Sequence, residues 1–140
     1  MSNLTLFINE HFALVGVFAV LLSLLSLVEF IRMRRLNAGV SPAEAVLLMN
    51  REHAIVLDIR HKAAYESGHI IDAISLPEAD VNSASKTLEK NRNKPVIVAC
   101  ESGSSAQRIA AHLKQKGFNA HVLTGGMRAW STADLPLVKG

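Results

Sequence analysis

Hydrophobic and polar positions divide the chain into two stretches of unlike pattern. Residues 12–28, FALVGVFAVLLSLLSLV, hold no charge and have serine as their only polar residue type. As a helix this run is roughly 26 Å long, and continuing it to Ile31 brings it to the ~30 Å of a bilayer core. The continuation includes Glu29, which lies close enough to one end for its carboxylate to reach the headgroups. A buried core helix of a soluble protein is the bland alternative, but the run lacks the polar face of a surface helix. A cleaved signal peptide needs a basic segment ahead of the apolar stretch, and residues 1–10 contain no Lys or Arg. The reading is an uncleaved transmembrane anchor with a basic flank, residues 1–35. Residues 36–140 follow as a separate domain, with Leu36–Val40 a short linker running toward a first strand.

Past the linker the pattern alternates between short apolar runs and amphipathic segments. Ser41-Pro42-Ala43-Glu44 predicts a helix start, with Ser as N-cap, Pro in the first turn and Glu closing a capping box. That helix runs to about Asn50 and places Ala45, Leu48 and Met49 on one face. Residues 54–59 (AIVLDI), 73–76, 95–99 (PVIVA) and 120–123 predict strands, the third most clearly buried. Between them, residues 83–91 read as a polar helix. Residues 104–116 read as a helix whose face is Ala106, Ile109, Ala110 and Leu113, closed by Gly117-Phe118. A last short helix around Trp130 follows Gly125-Gly126. Strands separated by helices imply an α/β domain with a central parallel sheet flanked by helices.

Composition alters this picture at three points. The 140 residues are 49% hydrophobic, too apolar for a disordered chain. A single cysteine excludes a disulfide framework, a CxxC redox pair and a cysteine-based zinc finger. The net charge of +3 is not a nucleic-acid footprint, because residues 40–140 carry 12 basic and 10 acidic side chains. The excess sits instead at Arg32, Arg34 and Arg35, beside the apolar run, and aromatic stacking platforms are scarce. Positive residues stay cytoplasmic, so the N-terminus is expected outside and the domain in the cytoplasm. No nucleic acid, cofactor or metal is expected.

The candidate chemistry is at Cys100, which ends the clearest strand and precedes Glu101-Ser102-Gly103-Ser104-Ser105 and a helix. In open α/β sheets ligands bind at the carboxyl ends of strands. A loop of small residues lets backbone N–H groups turn inward as an anion cradle, and the helix N-terminus adds unpaired donors. Both favour thiolate over thiol, giving an activated sulfur nucleophile. A buried strand-end cysteine with no reactive role fits the local pattern as well. His69 reads as a structural residue bonded to a loop near the site, and His53, His61, His112 and His121 as surface or helix-face residues. Asp58 and Arg60 read as a charge pair at a strand end, with Arg60 within reach of the pocket rim.

Three segments in order resemble the rhodanese homology domain over roughly residues 38–136. Asp58, Arg60, Tyr65, Gly68, His69, Ile70 and Ala73 match a D-x-R-x4-[YF]-x2-G-H-I-x2-A signature. Cys100 matches the catalytic cysteine with Gly103 in its loop, and Gly125, Gly126 and Trp130 match a closing G-G-x3-W pattern. With its apolar N-terminal run the chain further resembles the single-domain, membrane-anchored rhodaneses of the bacterial inner membrane. The resemblance implies sulfur transfer. Cys100 would carry a sulfane sulfur as a persulfide and pass it to an external thiol or small nucleophile, with Arg60 and the loop Glu101, Ser102, Gly103, Ser104 and Ser105 as substrate-binding residues. The implied partners are the bilayer, a sulfur donor and a thiol acceptor, since a chain with one cysteine cannot resolve the persulfide itself. The alternative is an inert rhodanese-fold module that binds a membrane-protein partner.

The chain departs from the family pattern at two places. Ile71 and Asp72 stand where Pro and Gly are usual, which should alter a turn. The loop has Glu101 and no basic residue, where thiosulfate-using members often carry basic ones, so an anionic donor is disfavoured. The related phosphatases use C-x5-R, which would require Arg at position 106; this chain has Ala106 and lacks the dianion-binding guanidinium.

Overall fold

The computed structural model describes residues 2–37 and 39–140 and separates them into two compact units, Met1–Asn37 and Ala38–Gly140. The first unit contains helix α1 (Ser2–Glu10) and helix α2 (Phe12–Asn37). No helix was expected before residue 12. The helical hydrogen bonds nevertheless pass through the junction, from His11 N–H to the Phe7 carbonyl and from Val15 N–H to the His11 carbonyl. Residues Phe12–Arg34 form the one helix among the described residues that is long and apolar enough to cross a membrane, with mean hydropathy 2.6 and no residue of its most apolar stretch buried. Its Ser23 hydroxyl donates to the Ala19 carbonyl at 2.8 Å, so that hydroxyl needs no partner outside the helix.

The second unit opens with α3 (Pro42–Glu52), capped as its sequence requires. The Glu44 N–H donates to Ser41 Oγ at 3.2 Å, and the Ser41 N–H donates back to the Glu44 carboxylate at 2.7 Å. That second bond lowers the Glu44 pKa from its ordinary value. After α3 come β1 (Ile55–Asp58), α4 (Lys62–Ser67), β2 (Ile74–Ser75), a 3₁₀ turn (Glu78–Asp80), α5 (Ser85–Lys90), β3 (Val96–Ala99), α6 (Ser104–Gln115), β4 (Ala120–Val122) and α7 (Gly126–Thr132). The four strands are all parallel, in the order β2-β1-β3-β4. From β1 the chain steps outward to β2, and then returns to lay β3 on the other side of β1. The carboxyl ends of β1 and β3 therefore flank the point where the strand order reverses, the place where such sheets open a crevice.

Strand pleating divides the core. Val96, Val98 and Cys100 face one side with Leu57, Ala106, Ile109, Ala110 and Leu113; Ile97 and Ala99 face the other with Val56, Met127 and Trp130. The helix face read from residues 104–116 is buried throughout. It ends in a Schellman turn, with Phe118 N–H on the Leu113 carbonyl and Gly117 N–H on that of Lys114, both at 3.0 Å. Three expectations require correction. Leu36 and Asn37 continue α2 rather than opening a linker, and residue 38 lies outside the described residues. Val40 makes only an isolated bridge to Leu123 and starts no strand. The polar helix is confined to Ser85–Lys90, and the six-residue α4 was not expected at all.

Both core clusters lie between Val40 and Leu135, so a fragment beginning at residue 39 should fold alone. In that fragment Ser41→Ala should cost about 1 kcal/mol, seen as a melting temperature lower by about 4–8 °C. The deficit relative to wild type should be present at neutral pH and shrink as the pH falls through the carboxylate range. The Ser41 hydroxyl adds to the lowering of the Glu44 pKa by the backbone N–H, so protonating Glu44 costs the wild type more than the variant, which keeps only the backbone bond.

Candidate active site

Cys100 follows the last residue of β3, with its side chain on the α6 side of the sheet. It is 6% exposed and lines a cavity of 340 Å³ together with Ile59, Arg60, His61, Pro77, Glu78, Glu101 and Ser105. The Gly103 N–H donates to Cys100 Sγ at 2.9 Å. That bond depends on Gly103 holding φ +96°, where a side chain would be strained and its Cβ would meet the Gly125 nitrogen at 3.3 Å. One N–H of the active loop thus faces the sulfur, and the unpaired donors of the first turn of α6 follow directly.

The orientation of the loop is set from the opposite side. At the start of α7, Met127 N–H donates to the Cys100 carbonyl at 2.8 Å and Arg128 N–H to the Glu101 carbonyl at 3.2 Å. A Cβ on Gly126 would lie 2.3 Å from the Cys100 carbonyl oxygen and 2.7 Å from that of Glu101, so only glycine lets α7 approach this closely. Trp130, buried among the opposite core cluster, anchors α7 and donates from Nε1 to the Pro136 carbonyl at 3.1 Å. The Gly-Gly-x3-Trp pattern therefore has a physical function. It draws the carbonyls of residues 100 and 101 toward α7, away from the sulfur.

Asp58 and Arg60 hold the adjacent wall. Asp58 is buried, and Arg60 binds it through Nε and Nη2 at 3.0 and 2.7 Å. Nη2 also donates to the Gly68 carbonyl at 2.7 Å, and Nη1 lies 3.6 Å from the Glu101 carboxylate. The Asp58 hydrogen bond, ahead of the opposing effect of burial, raises the Arg60 pKa. The guanidinium is thus committed to protein carboxylates. On the far side of the cavity Glu78 pairs with Arg108.

Of the residues read from the sequence, Cys100, Arg60, Glu101 and Ser105 meet at one cavity, and Gly103 touches the sulfur through its N–H. Ser102 and Ser104 do not line it; their exposed hydroxyls lie 3.2 Å from each other. His61 is exposed, as expected of a surface histidine, and in addition lines the cavity with Cys100. Glu78 was missed. Both follow strand ends, one after β1 and one after β2, and the convergence of strand ends was the signal that could have found them. His69 stacks on Tyr65 at 3.8 Å and its Nδ1 is 2.8 Å from the Tyr65 carbonyl, while Tyr65 Oη donates to the Ala73 carbonyl at 2.7 Å. These residues brace the β1–β2 connection. Asp72 takes the left-handed conformation at φ +59°, so the turn survives without glycine, as aspartate allows. Among the described residues no group of three or more His, Cys, Asp or Glu could hold a metal ion.

Comparison with known proteins agrees with this geometry. Residues 41–133 match the rhodanese-like domain family. YibN of Escherichia coli (strain K12) is 32% identical over 142 residues, covering 100% of this chain and 99% of that protein. The thiosulfate sulfurtransferase GlpE of Pseudoalteromonas translucida is 33% identical over 95 residues, 67% of this chain and 89% of that protein. Among solved structures, a protein from Bacillus halodurans superposes with a TM-score of 0.69 at 26% identity, covering 81% of this chain and 85% of that one. A rhodanese-related protein from Thermoplasma volcanium gives 0.65 at 27%, covering 74% and 99%. A parallel sheet with a cysteine at the end of β3, a loop held by α7, and these sequence matches together place the chain in the rhodanese-like domain family of sulfurtransferases.

Proposed function

We propose that the protein is a membrane-anchored sulfurtransferase in which Cys100 carries a sulfane sulfur as a persulfide and passes it to an external thiol. The observation that carries this reading is the Gly103 N–H on Cys100 Sγ at 2.9 Å, at the wall of a cavity. A donor to sulfur favours negative charge there, first on the thiolate and then on the persulfide. In loading, the thiolate attacks the outer sulfur of a donor, the new S–S bond forms, and the donor's own bond to that sulfur breaks with its electron pair. In discharge, an acceptor thiolate attacks the same outer sulfur and Cys100 leaves as thiolate. Neither step needs an added oxidant or reductant. The chain has one cysteine, so the acceptor comes from outside.

Incubation with a sulfane donor should add about 32 Da, one sulfur atom, to the peptide containing Cys100. A thiol should then remove it, and Cys100→Ser should abolish uptake while leaving the fold intact. A Cys100 that stays unmodified with every donor would refute the reading. It would favour instead a rhodanese-fold module that binds a membrane-protein partner.

The charges around the cavity disfavour a divalent donor such as thiosulfate. Arg60 is held by Asp58 and Glu101, and Arg108 by Glu78, so neither guanidinium is free for an anion. Glu101 is 58% exposed beside the cysteine. Less charged persulfides are the better donors on this argument. Glu101→Arg should raise kcat/KM for thiosulfate by about tenfold, with a smaller gain at high salt. Efficient thiosulfate turnover by the wild type, or no effect of the substitution, would contradict it.

For placement, we infer a single-pass anchor in the bacterial inner membrane, with the N-terminus out and the domain cytoplasmic. The support is Phe12–Arg34 as a span-length helix and the arginines at 32, 34 and 35. Protease added to spheroplasts should leave residues 40–140 intact, and their digestion from outside would reverse the orientation.

A further inference from the structure

A second cavity, of 480 Å³, adjoins the cysteine cavity and shares two residues with it, Arg60 and Glu101. The two spaces thus share one ion pair in their linings, at 3.6 Å a loose one. Their electrostatics differ. The cysteine cavity has two carboxylates, Glu78 and Glu101, and one guanidinium, Arg60. The second cavity has two guanidiniums, Arg60 and Arg128, and one carboxylate, Glu101. Arg60 is already held by Asp58. The Arg128 guanidinium forms no ion pair among the described residues, and its backbone is fixed by the bond from its N–H to the Glu101 carbonyl. Met127 and Leu137 add an apolar lining, and Ser131 adds a hydroxyl.

We propose that this second cavity is the subsite for the non-reacting end of the acceptor, and that the acceptor is a small thiol bearing a carboxylate a few bonds from its sulfur. The proposal rests on the sulfurtransferase reading, which requires an external acceptor whose remainder must lie beside Cys100. A carboxylate meets Glu101 and no free cation at the cysteine cavity, where Glu78 is paired with Arg108, and is attracted past the Arg60–Glu101 pair to Arg128. Its short apolar stem lies along Met127 and Leu137. The thiolate is then left beside Cys100, where it attacks the outer persulfide sulfur. The S–S bond to Cys100 breaks, its electron pair returns to Cys100, and the acceptor departs as the persulfide.

The test uses the full-length protein loaded with sulfane sulfur, discharged by 3-mercaptopropionate or by the neutral 2-mercaptoethanol. Comparing variants removes the intrinsic difference between the two thiols. Arg128→Gln should lower the ratio of kcat/KM for 3-mercaptopropionate over 2-mercaptoethanol by about tenfold, the loss of one charge-assisted contact. A ratio within about twofold of wild type would overturn the proposal. A second measurement involves no sulfur transfer: 3-(methylthio)propionate, an unreactive thioether, should slow alkylation of Cys100 by iodoacetamide in the wild type and lose that effect in Arg128→Gln. No protection in the wild type, or equal protection in both, would overturn the subsite. If Cys100 takes up no sulfur, the sulfurtransferase reading fails while the protection measurement still decides whether the cavity binds a carboxylate.

Discussion

The site depends on the contact between the first turn of α7 and the backbone of residues 100 and 101. Two amides left unpaired by the start of one helix take the two carbonyls of a loop that leads into another. The peptide planes of that loop are fixed as a result, and a peptide plane whose carbonyl points one way presents its N–H the other. Glycine at 126 makes the approach possible, since any side chain there would overlap the carbonyl oxygens. Trp130 contributes from a distance by burying the helix that supplies the amides. The sulfur environment is therefore built by backbone held in place by packing on the opposite face of the sheet.

Charge is organised with the same economy. The buried Asp58 has a two-pronged partner in Arg60, which also ties the β1 end to the Gly68 carbonyl. A buried carboxylate without that fork would be costly, and the arginine would otherwise be free to take a ligand. Because the pair satisfies itself, the guanidinium stiffens the wall and recruits little from solution. The D-x-R spacing fits this role, since residues two apart on an extended strand end bring their side chains to the same face.

Much of this architecture was legible in the residues. The capping box at Ser41, the apolar face of residues 104–116 and the run at 95–99 are patterns of local chemistry, and each formed near its expected limits. What escaped was short or tertiary. Helix α4 has too few residues to show a periodicity. Of the site, Cys100 and its loop could be read from a strand-to-helix junction. Glu78 and His61 could not be joined to it from spacing, because they come together only when three strand ends meet. Ser102 and Ser104 share the composition of the loop but are exposed, with their hydroxyls on each other and not on the sulfur.

The pleat of β3 carries one more consequence. Val96, Val98 and Cys100 share a face, while Ile97 and Ala99 share the other. Side-chain direction along a strand has a period of two. Inserting or deleting one residue between Val96 and Cys100 would carry the thiol through the sheet to the side occupied by Met127 and Trp130, away from the cavity it now lines. Within this one strand a single step therefore separates a cysteine at the cavity from a cysteine in the opposite core cluster.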